Sequence, residues 1–285
     1  MQKRSQFLVI YTSESLLRHP LLLFKQMWRD LLASRGLAWR LLVRDISAQY
    51  RKSFLGILWA FLPPVATAVG LTLANNAKVI NISATDLPYP AYVMLSMTLW
   101  QTFVEALNGP MEAITKAKVM LAKINFPREA LILAQLGQVF FNFGIKLILI
   151  AGLFIAFRMP LHWTIILAPV ALIHLIALGT FFGMMLAPLG VLYNDVSKGM
   201  TFIVGIWLLL TPVIYPIPSE GIFGAIVRLN PVTPLIATTR DLATKGVVSE
   251  PVGFWIASGI ALGGLLVSWV VYRLAMPFII ERTSA

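Results

Sequence analysis

Six stretches of the sequence are apolar for long enough to cross a lipid bilayer as helices. A crossing takes about 20 predominantly apolar residues, and a helix satisfies every backbone polar group that lipid leaves without water. The pattern therefore predicts an all-α integral membrane protein with six transmembrane helices. The predicted spans are residues 54–74, 89–107, 130–157, 163–189, 199–214 and 254–275.

The composition excludes an ordinary soluble domain. The 285 residues are 58% hydrophobic and 12% charged, whereas soluble domains average about 45–50% apolar and about 25% charged residues. The chain has no cysteine, which excludes a disulfide framework and a thiolate metal site. No internal repeat or shift in composition divides the chain, so it is predicted to be a single transmembrane domain.

The basic residues predict how the six spans are oriented. Seventeen Lys and Arg residues fall on one side of the predicted membrane and five on the other, and ten of the seventeen precede residue 53. The positive-inside rule places the richer side, and with it both termini, in the cytoplasm. Residues 1–53 are then a cytoplasmic segment, 54–275 the six-span domain and 276–285 a cytoplasmic tail. The net charge of +11 fits attraction to anionic lipid rather than to nucleic acid.

An amphipathic helix is predicted within residues 28–50. Its apolar positions are three and four residues apart, the helical spacing, and its opposite face is basic. Such a helix lies in the membrane plane. It is either a lipid anchor alone or also a surface that receives a cytoplasmic partner. The apolar residues are Trp39, Leu42, Ile46 and Tyr50, and the basic ones are Arg40, Arg44 and Arg51.

Two further segments lie between spans. In residues 108–128, Gly109-Pro110 is predicted to end the second span, and a separate short helix is predicted to follow before Pro127. This segment is either an ordinary charged loop or a defined surface.

Residues 215–251 are rich in proline and glycine around two apolar pieces, 222–229 and 232–238. Each piece is too short to cross, so a re-entrant segment between the fifth and sixth spans is predicted.

The sequence lacks the motifs of most enzymes. It has no Gly-x-x-x-x-Gly-Lys-Ser/Thr loop for nucleotide phosphates, and no cofactor is expected in this chain. His19, His162 and His174 are not spaced as metal ligands, so no metal site is predicted, and no catalytic residue is assigned. The charges within the spans are few, namely Lys146 and Glu105 near the end of the second span.

Aromatic residues are frequent at the span ends and inside the spans. They either form the interfacial belt of a membrane protein or line a path along which sugar rings slide over aromatic faces. The candidates for such a path are Trp59, Phe61, Tyr89, Trp100, Phe103, Trp207 and Tyr215.

Several short motifs, in order along the chain, resemble those of ABC-type permeases that export polysaccharides, a family that includes O-antigen, capsular polysaccharide and teichoic acid exporters. The entry to the first span carries Arg44, Asp45, Tyr50, Arg51, Ser53, Leu55, Gly56, Leu58, Trp59 and Pro63. Further matches are residues 123–129, Tyr193 to Asp195, residues 211–215, Asn230-Pro231 and Glu281-Arg282. Asn194 stands where the family usually has an arginine.

The resemblance implies a homodimer bound to two copies of a separate ATPase, which would hold the ATP and Mg²⁺. The N-terminal helix and the helix of residues 110–123 would contact that ATPase, and the first and fifth spans would line the path of a lipid-linked glycan. The coupling candidates are Met111, Ile114, Lys116, Lys118, Leu121, Lys123 and Arg128.

The basic entry to the first span is expected to attract a pyrophosphate-linked lipid headgroup. The candidates are Arg44, Arg51 and Lys52, which serve otherwise as lipid anchors alone. Two alternatives to a glycan exporter remain at this point. One is a permease for a small hydrophobic drug or a lipid, and the other is a membrane-embedded enzyme acting on lipid-linked sugars.

Overall fold

The structure is a computed structural model that describes residues 20–51, 54–80, 82, 85–124, 126–218 and 220–284. Every regular element within these residues is helical. Two short 3₁₀ turns, Gly56–Ala60 and Trp163–Ile166, precede the third and sixth α-helices. The α-helices are α1 (Pro20–Ala33), α2 (Arg35–Arg51), α3 (Leu62–Asn76), α4 (Tyr89–Lys123), α5 (Glu129–Ala156), α6 (Ala168–Leu192), α7 (Asn194–Leu209), α8 (Gly221–Leu229), α9 (Val232–Thr244) and α10 (Pro251–Ser284).

Three of the predicted spans are confirmed as helical segments long and apolar enough to cross a membrane. They are Glu129–Ala156, Trp163–Leu192 and Pro251–Ile279, in the part of the chain that the structure describes. A fourth crossing is formed only if α8 and α9, which meet at an angle of 81°, are taken as one broken span. The chain is thus an all-α membrane protein, and the count of six stays a prediction.

Prolines mark where several helices begin. Each of α3, α4 and α6 carries a proline in its first turn, where the missing N–H has no helical partner to lose. Pro63-Pro64 lies in the first turn of α3, so the first predicted span is divided into the 3₁₀ turn and α3. The fifth predicted span, 199–214, is instead α7, which ends at Leu209, ahead of Pro212.

The predicted helix break at Gly109-Pro110 is wrong. Residues 89–107 and 110–123 form one continuous helix, α4, with Pro110 inside it. Pro110 packs against the glycine face of α6, since a Cβ atom on Gly183 would lie 2.9 Å from its ring and 2.3 Å from the carbonyl oxygen of Leu107. Membrane helices tolerate such prolines where a neighbouring helix packs against the weakened turn. Residues 110–123 are therefore the end of α4 and not a separate helix.

Helix α6 is the centre of the bundle and packs against α4, α9 and α10. Its glycines let the backbone of α4 approach closely: a Cβ atom on Gly179 would lie 2.7 Å from the carbonyl oxygen of Phe103, and one on Gly190 would overlap the Met111 side chain. Small residues at such contacts are the usual means by which membrane helices approach each other.

The N-terminal region forms two helices where one was predicted. Ser34 separates α1 from α2. Helix α2 packs on α5, because a Cβ atom on Gly137 would lie 2.7 Å from Leu42 and the Gln138 amide donates to Gln49 at 2.8 Å. The predicted apolar face turns only partly inward, since Trp39 is 66% exposed. The side chain of Tyr50 lies outside the described residues.

Adding a side chain at the close contact between α4 and α6 should destabilise the protein. We expect Gly183→Ala to lower the free energy of unfolding by about 1–3 kcal/mol, the usual cost of overpacking, because its Cβ atom would meet the α4 backbone. Gly144→Ala on α5 is the matched control, since its Cβ atom would meet nothing within 4 Å. Thermal unfolding of both purified variants measures the difference, and equal melting temperatures would contradict the contact.

Candidate functional site

The predicted coupling surface is the C-terminal end of α4. Its apolar members, Met111, Ile114 and Leu121, are buried against the rest of the protomer. Lys116 and Lys118 are exposed on the other side, and the Lys116 ammonium lies 3.0 Å from the Glu112 carboxylate. The two sets therefore have different roles: the first holds the segment in place and the second is accessible to a partner.

The other two coupling candidates have different settings. Arg128 lies directly before α5 and is partly buried. Its backbone carbonyl accepts a hydrogen bond from the Tyr272 hydroxyl at 3.4 Å. The side chain of Lys123 lies outside the described residues.

A charge cluster that the sequence analysis did not single out lies at the same end of the molecule. Arg273 of α10 donates to Asp30 of α1 at 2.6 Å and to Glu129 of α5 at 2.8 Å. Glu129 is buried, so one planar guanidinium joins three helices through charge-assisted hydrogen bonds. The sequence offered little signal, because the three residues are separated by up to 243 positions.

The headgroup candidates are only partly brought together. Arg44 and Arg51 are both exposed on α2, seven residues and therefore about two helical turns apart. The Arg44 guanidinium lies 2.8 Å from the Asp45 carboxylate, which offsets part of its charge. Lys52 lies outside the described residues.

At the opposite end of the bundle, Asn230 holds the junction of α7, α8 and α9. Its side-chain oxygen accepts from the Trp207 indole at 3.0 Å and from the Val232 N–H at 3.1 Å. Its amide group donates to the Leu210 carbonyl at 3.2 Å and to the Thr211 hydroxyl at 2.9 Å. The Asn230 side chain therefore both donates and accepts hydrogen bonds, and together these bonds fix the 81° bend between α8 and α9.

The first turn of α4 holds the segment that leaves α7. The Tyr92 hydroxyl lies 3.1 Å and 2.9 Å from the carbonyl oxygens of Pro212 and Tyr215. The Tyr89 hydroxyl donates to the Ile214 carbonyl at 3.0 Å. Through these tyrosines, α4 is in contact with the α7–α8 connection at one end and carries the predicted coupling surface at the other.

Helix α9 is buried along its whole length and brings a charged residue into the protein. The Arg240 guanidinium lies 4.2 Å from the centre of the Tyr92 ring and donates to the Ser96 hydroxyl at 2.9 Å. Stacking on an aromatic face and a hydrogen bond together make burial of this cation tolerable. Arg240 falls within the predicted re-entrant segment, and its burial was not predicted.

The channel candidates divide by burial. Trp100 is 3% and Phe103 0% exposed, and Phe103 packs edge-on against Trp207 at 5.3 Å between ring centres. Trp100 and Phe103 are therefore interior packing residues of the protomer and present no surface to a substrate in this conformation. Trp59 is 56% exposed, and Phe61, Tyr89, Trp207 and Tyr215 are partly exposed.

Lys146 and Glu105 form an ion pair inside the bundle. The Lys146 ammonium is 1% exposed and lies 2.6 Å from the Glu105 carboxylate. The Asn142 amide donates to the other oxygen of Glu105 at 3.1 Å. An uncompensated buried charge would be costly, so pairing accounts for the presence of Lys146 within a predicted span.

Comparison with known proteins places the chain in a family. Residues 37–242 match the family model described as ABC-2 type transporter. The chain belongs to the ABC-2 type transporter family. This multi-pass ABC-2 protein is thus a transporter subunit rather than an enzyme, and the resemblance to ABC-type permeases is confirmed.

Three curated relatives of this ABC-2 protein carry the same name, O-antigen export system permease protein RfbA. One, from Myxococcus xanthus, is 27% identical over 75% of this chain and 82% of its own length. Two from Klebsiella pneumoniae are 23% and 22% identical, over 77% and 72% of this chain and 85% and 79% of their own lengths.

Breaking the Lys146–Glu105 pair should destabilise the bundle strongly. We expect Glu105→Leu to cost about 3 kcal/mol, because it leaves Lys146 buried without a counter-charge, and Glu105→Leu with Lys146→Met to recover most of that loss. Glu112→Leu, which breaks an exposed pair on the same helix, should cost under about 0.5 kcal/mol. Denaturant-induced unfolding in micelles measures all three, and equal losses for the two single variants would refute the distinction.

The Lys245–Asp86 ion pair gives a pH dependence near the start of α4. The Lys245 ammonium lies 2.6 Å from the Asp86 carboxylate, and its hydrogen bond lowers the pKa of Asp86 from its ordinary value against a smaller opposing effect of burial. A carboxyl whose pKa is lowered by folding stabilises the protein above its unfolded pKa of about 3.9, and this contribution is lost as the pH falls through the folded value.

We therefore expect Asp86→Asn to lower the melting temperature slightly at pH 7 and by less at pH 3, because protonation of Asp86 at acid pH weakens its pairing with Lys245. The effect is small because the Asp86 side chain is mostly exposed to solvent. Melting temperatures of the variant and the unaltered protein at both pH values test this, and a gap that stayed constant would contradict the pairing.

Proposed function

We propose that this chain is the channel-forming subunit of an ATP-driven exporter that moves a lipid-linked polysaccharide, O-antigen-like in type, from the cytoplasm across a bacterial inner membrane. Two copies would form the channel, and each would bind one copy of a separate ATPase that carries the ATP and Mg²⁺. Membership of the ABC-2 family and the names of the three curated relatives support this proposal.

The observation that carries the mechanism is the continuity of α4. Its 35 residues extend roughly 50 Å at 1.5 Å per residue, from the exposed Lys116 and Lys118 to the tyrosines that hold the α7–α8 connection. A displacement imposed by an ATPase at one end would reach the other end without passing through a flexible joint. The bistable element is then the packing of α4 and α6 against the second copy.

The membrane arrangement we propose has six spans, with both termini in the cytoplasm. The three long apolar helices would be joined by α3 with its preceding 3₁₀ turn, by the first half of α4, and by α7. Helices α8 and α9 would form the re-entrant segment, and the burial of α9 on all sides supports this, because short helices at membrane depth must be covered by protein. The excess of Lys and Arg at the Arg273 end supports the orientation.

The substrate path we propose uses the exposed aromatic candidates, Trp59, Phe61, Trp207 and Tyr215, with Tyr89 at its far end. Trp100 and Phe103 would support Trp207 from behind, since all three rings are packed together. Arg51, with Lys52 beside it in the sequence, is the favoured headgroup candidate, because Arg44 already has Asp45 as its counter-ion.

The exposed lysines of α4 provide the test. When the permease is expressed with a candidate ABC ATPase from the same organism, we expect the two to co-elute. Lys116→Glu with Lys118→Glu should lower the ATPase retained, or the ATPase rate stimulated by lipid-linked glycan, at least about tenfold, because two favourable contacts become repulsive. The matched control is Arg158→Glu, which reverses an exposed charge at the opposite end of the bundle.

Three outcomes would overturn the proposal. The first is a permease that associates with no nucleotide-hydrolysing subunit. The second is an intact complex stimulated only by a hydrophobic drug or a phospholipid, which would assign the chain to that class of permease. The third is turnover of lipid-linked sugars by the purified chain without an ATPase, which would identify an enzyme.

A further inference from the structure

A polar cavity lies beside the buried ion pair, between the end of α2, the 3₁₀ turn before α3, and the facing sides of α4 and α5. Its volume is about 210 Å³. Trp59 lines it from the 3₁₀ turn, Glu105 from α4, and Asn142 with Lys146 from α5, while Gln49 lines it from α2. Neither the packing of the bundle nor the coupling surface accounts for a polar space of this size among apolar helices.

The cavity is lined by charges that already neutralise each other. The Lys146 ammonium and the Glu105 carboxylate are 2.6 Å apart, so the wall carries no net charge. A phosphate group would have to compete with Glu105 for Lys146, and an amine would have to compete with Lys146 for Glu105. A closed ion pair of this kind favours a neutral ligand, which can hydrogen-bond to both members without separating them.

The polar groups that remain suit hydroxyl groups. Glu105 is an acceptor with lone pairs beyond those used by Lys146 and Asn142. Gln49 accepts from Gln138 through its side-chain oxygen, which leaves its NH₂ group as a donor. Acceptors and donors that line one space match the vicinal hydroxyls of a sugar, each of which both donates and accepts.

The indole of Trp59 supplies the apolar part of the same recognition. It is 56% exposed and lies in the wall of the cavity, so it offers an aromatic surface to the carbon-bound hydrogens of a sugar ring. A volume of about 210 Å³ suits a single ring, because drug-sized ligands fill about 300–1,000 Å³.

We propose that this cavity is a recognition site for one neutral sugar ring of the exported glycan, formed by Trp59 with Gln49, Asn142, Glu105 and Lys146. The identity of the ligand as part of the cargo rests on the proposed function. The site itself does not, because any neutral pyranoside of the right stereochemistry would occupy it. It shares Trp59 with the proposed aromatic path but adds a polar wall, in which Lys146 is buried and Glu105 and Asn142 are partly buried. This wall reads hydroxyl positions and so selects the sugar.

The test uses the full-length chain in nanodiscs and saturation-transfer NMR with the methyl glycosides of glucose, galactose, mannose and N-acetylglucosamine. Inorganic phosphate and glycerophosphoethanolamine are the comparison probes. We expect at least one glycoside to bind, Trp59→Leu to raise its Kd at least about tenfold, the loss of one good contact, and Trp59→Phe to restore most of the affinity. Trp255→Leu is the matched control, because Trp255 is exposed on α10 and away from the cavity.

Gln49→Leu provides an independent check from the opposite wall and should weaken the same glycoside, whether or not Trp59→Leu folds. The proposal is overturned if no glycoside binds, if both variants bind it as the unaltered chain does, or if only the phosphate-containing probes bind. Co-elution of the ATPase from the same preparations separates the two proposals. If the chain binds a glycoside but no ATPase, the sugar site stands and the exporter function is rejected. If the exporter assembles and its glycoside binding does not depend on Trp59 or Gln49, the exporter function stands and the sugar site is rejected.

Discussion

The close approach of α4 and α6 is the contact on which the rest of the structure depends. Lipid gives no hydrophobic drive for helices to associate, so van der Waals contact between backbones has to supply much of the stabilisation. Gly179 and Gly183 of α6 provide it by bringing the α4 backbone within reach, and Gly190 leaves room for the Met111 side chain. The same contact covers Pro110, and it thereby allows α4 to continue past a residue that would end a helix in water.

The continuous helix α4 joins two sites with different chemistry. At one end the exposed lysines of α4 lie near the cluster in which Arg273 holds Asp30 and Glu129. At the other end Tyr89 and Tyr92 contact the connection between α7 and α8. A partner bound to the lysine end would act on one rigid helix. The hydrogen bonds of Tyr89 and Tyr92 at the other end would transmit that movement to the connection between α7 and α8.

Much of this architecture could be predicted from the sequence, and the errors have physical causes. Runs of apolar residues gave the helices, because the length of a span is set by the thickness of the bilayer. The break at Pro110 was predicted wrongly because local propensity does not report a neighbouring helix. The burial of Trp100 and Phe103 could not be predicted either, since composition alone does not distinguish a helix face that meets lipid from one that meets protein.

The same limit applies to the charged groups. Lys146 was identified as unusual from its position in a span, but its partner Glu105 is 41 residues away and only the packing of α4 on α5 brings them together. Arg240 and Arg273 entered the prediction of orientation only as basic residues, whereas both are held by specific partners inside the fold.

Asn230 illustrates how little freedom a residue can have without touching any ligand. Its side chain serves two donors and two acceptors on three sides of a sharp corner. Aspartate would present oxygens to the Leu210 carbonyl and repel it, and glutamine would place the amide one methylene too far. Shape and polarity thus restrict the position to asparagine. If related sequences keep this asparagine, the reason would be the bend between α8 and α9 and not the identity of the transported substrate.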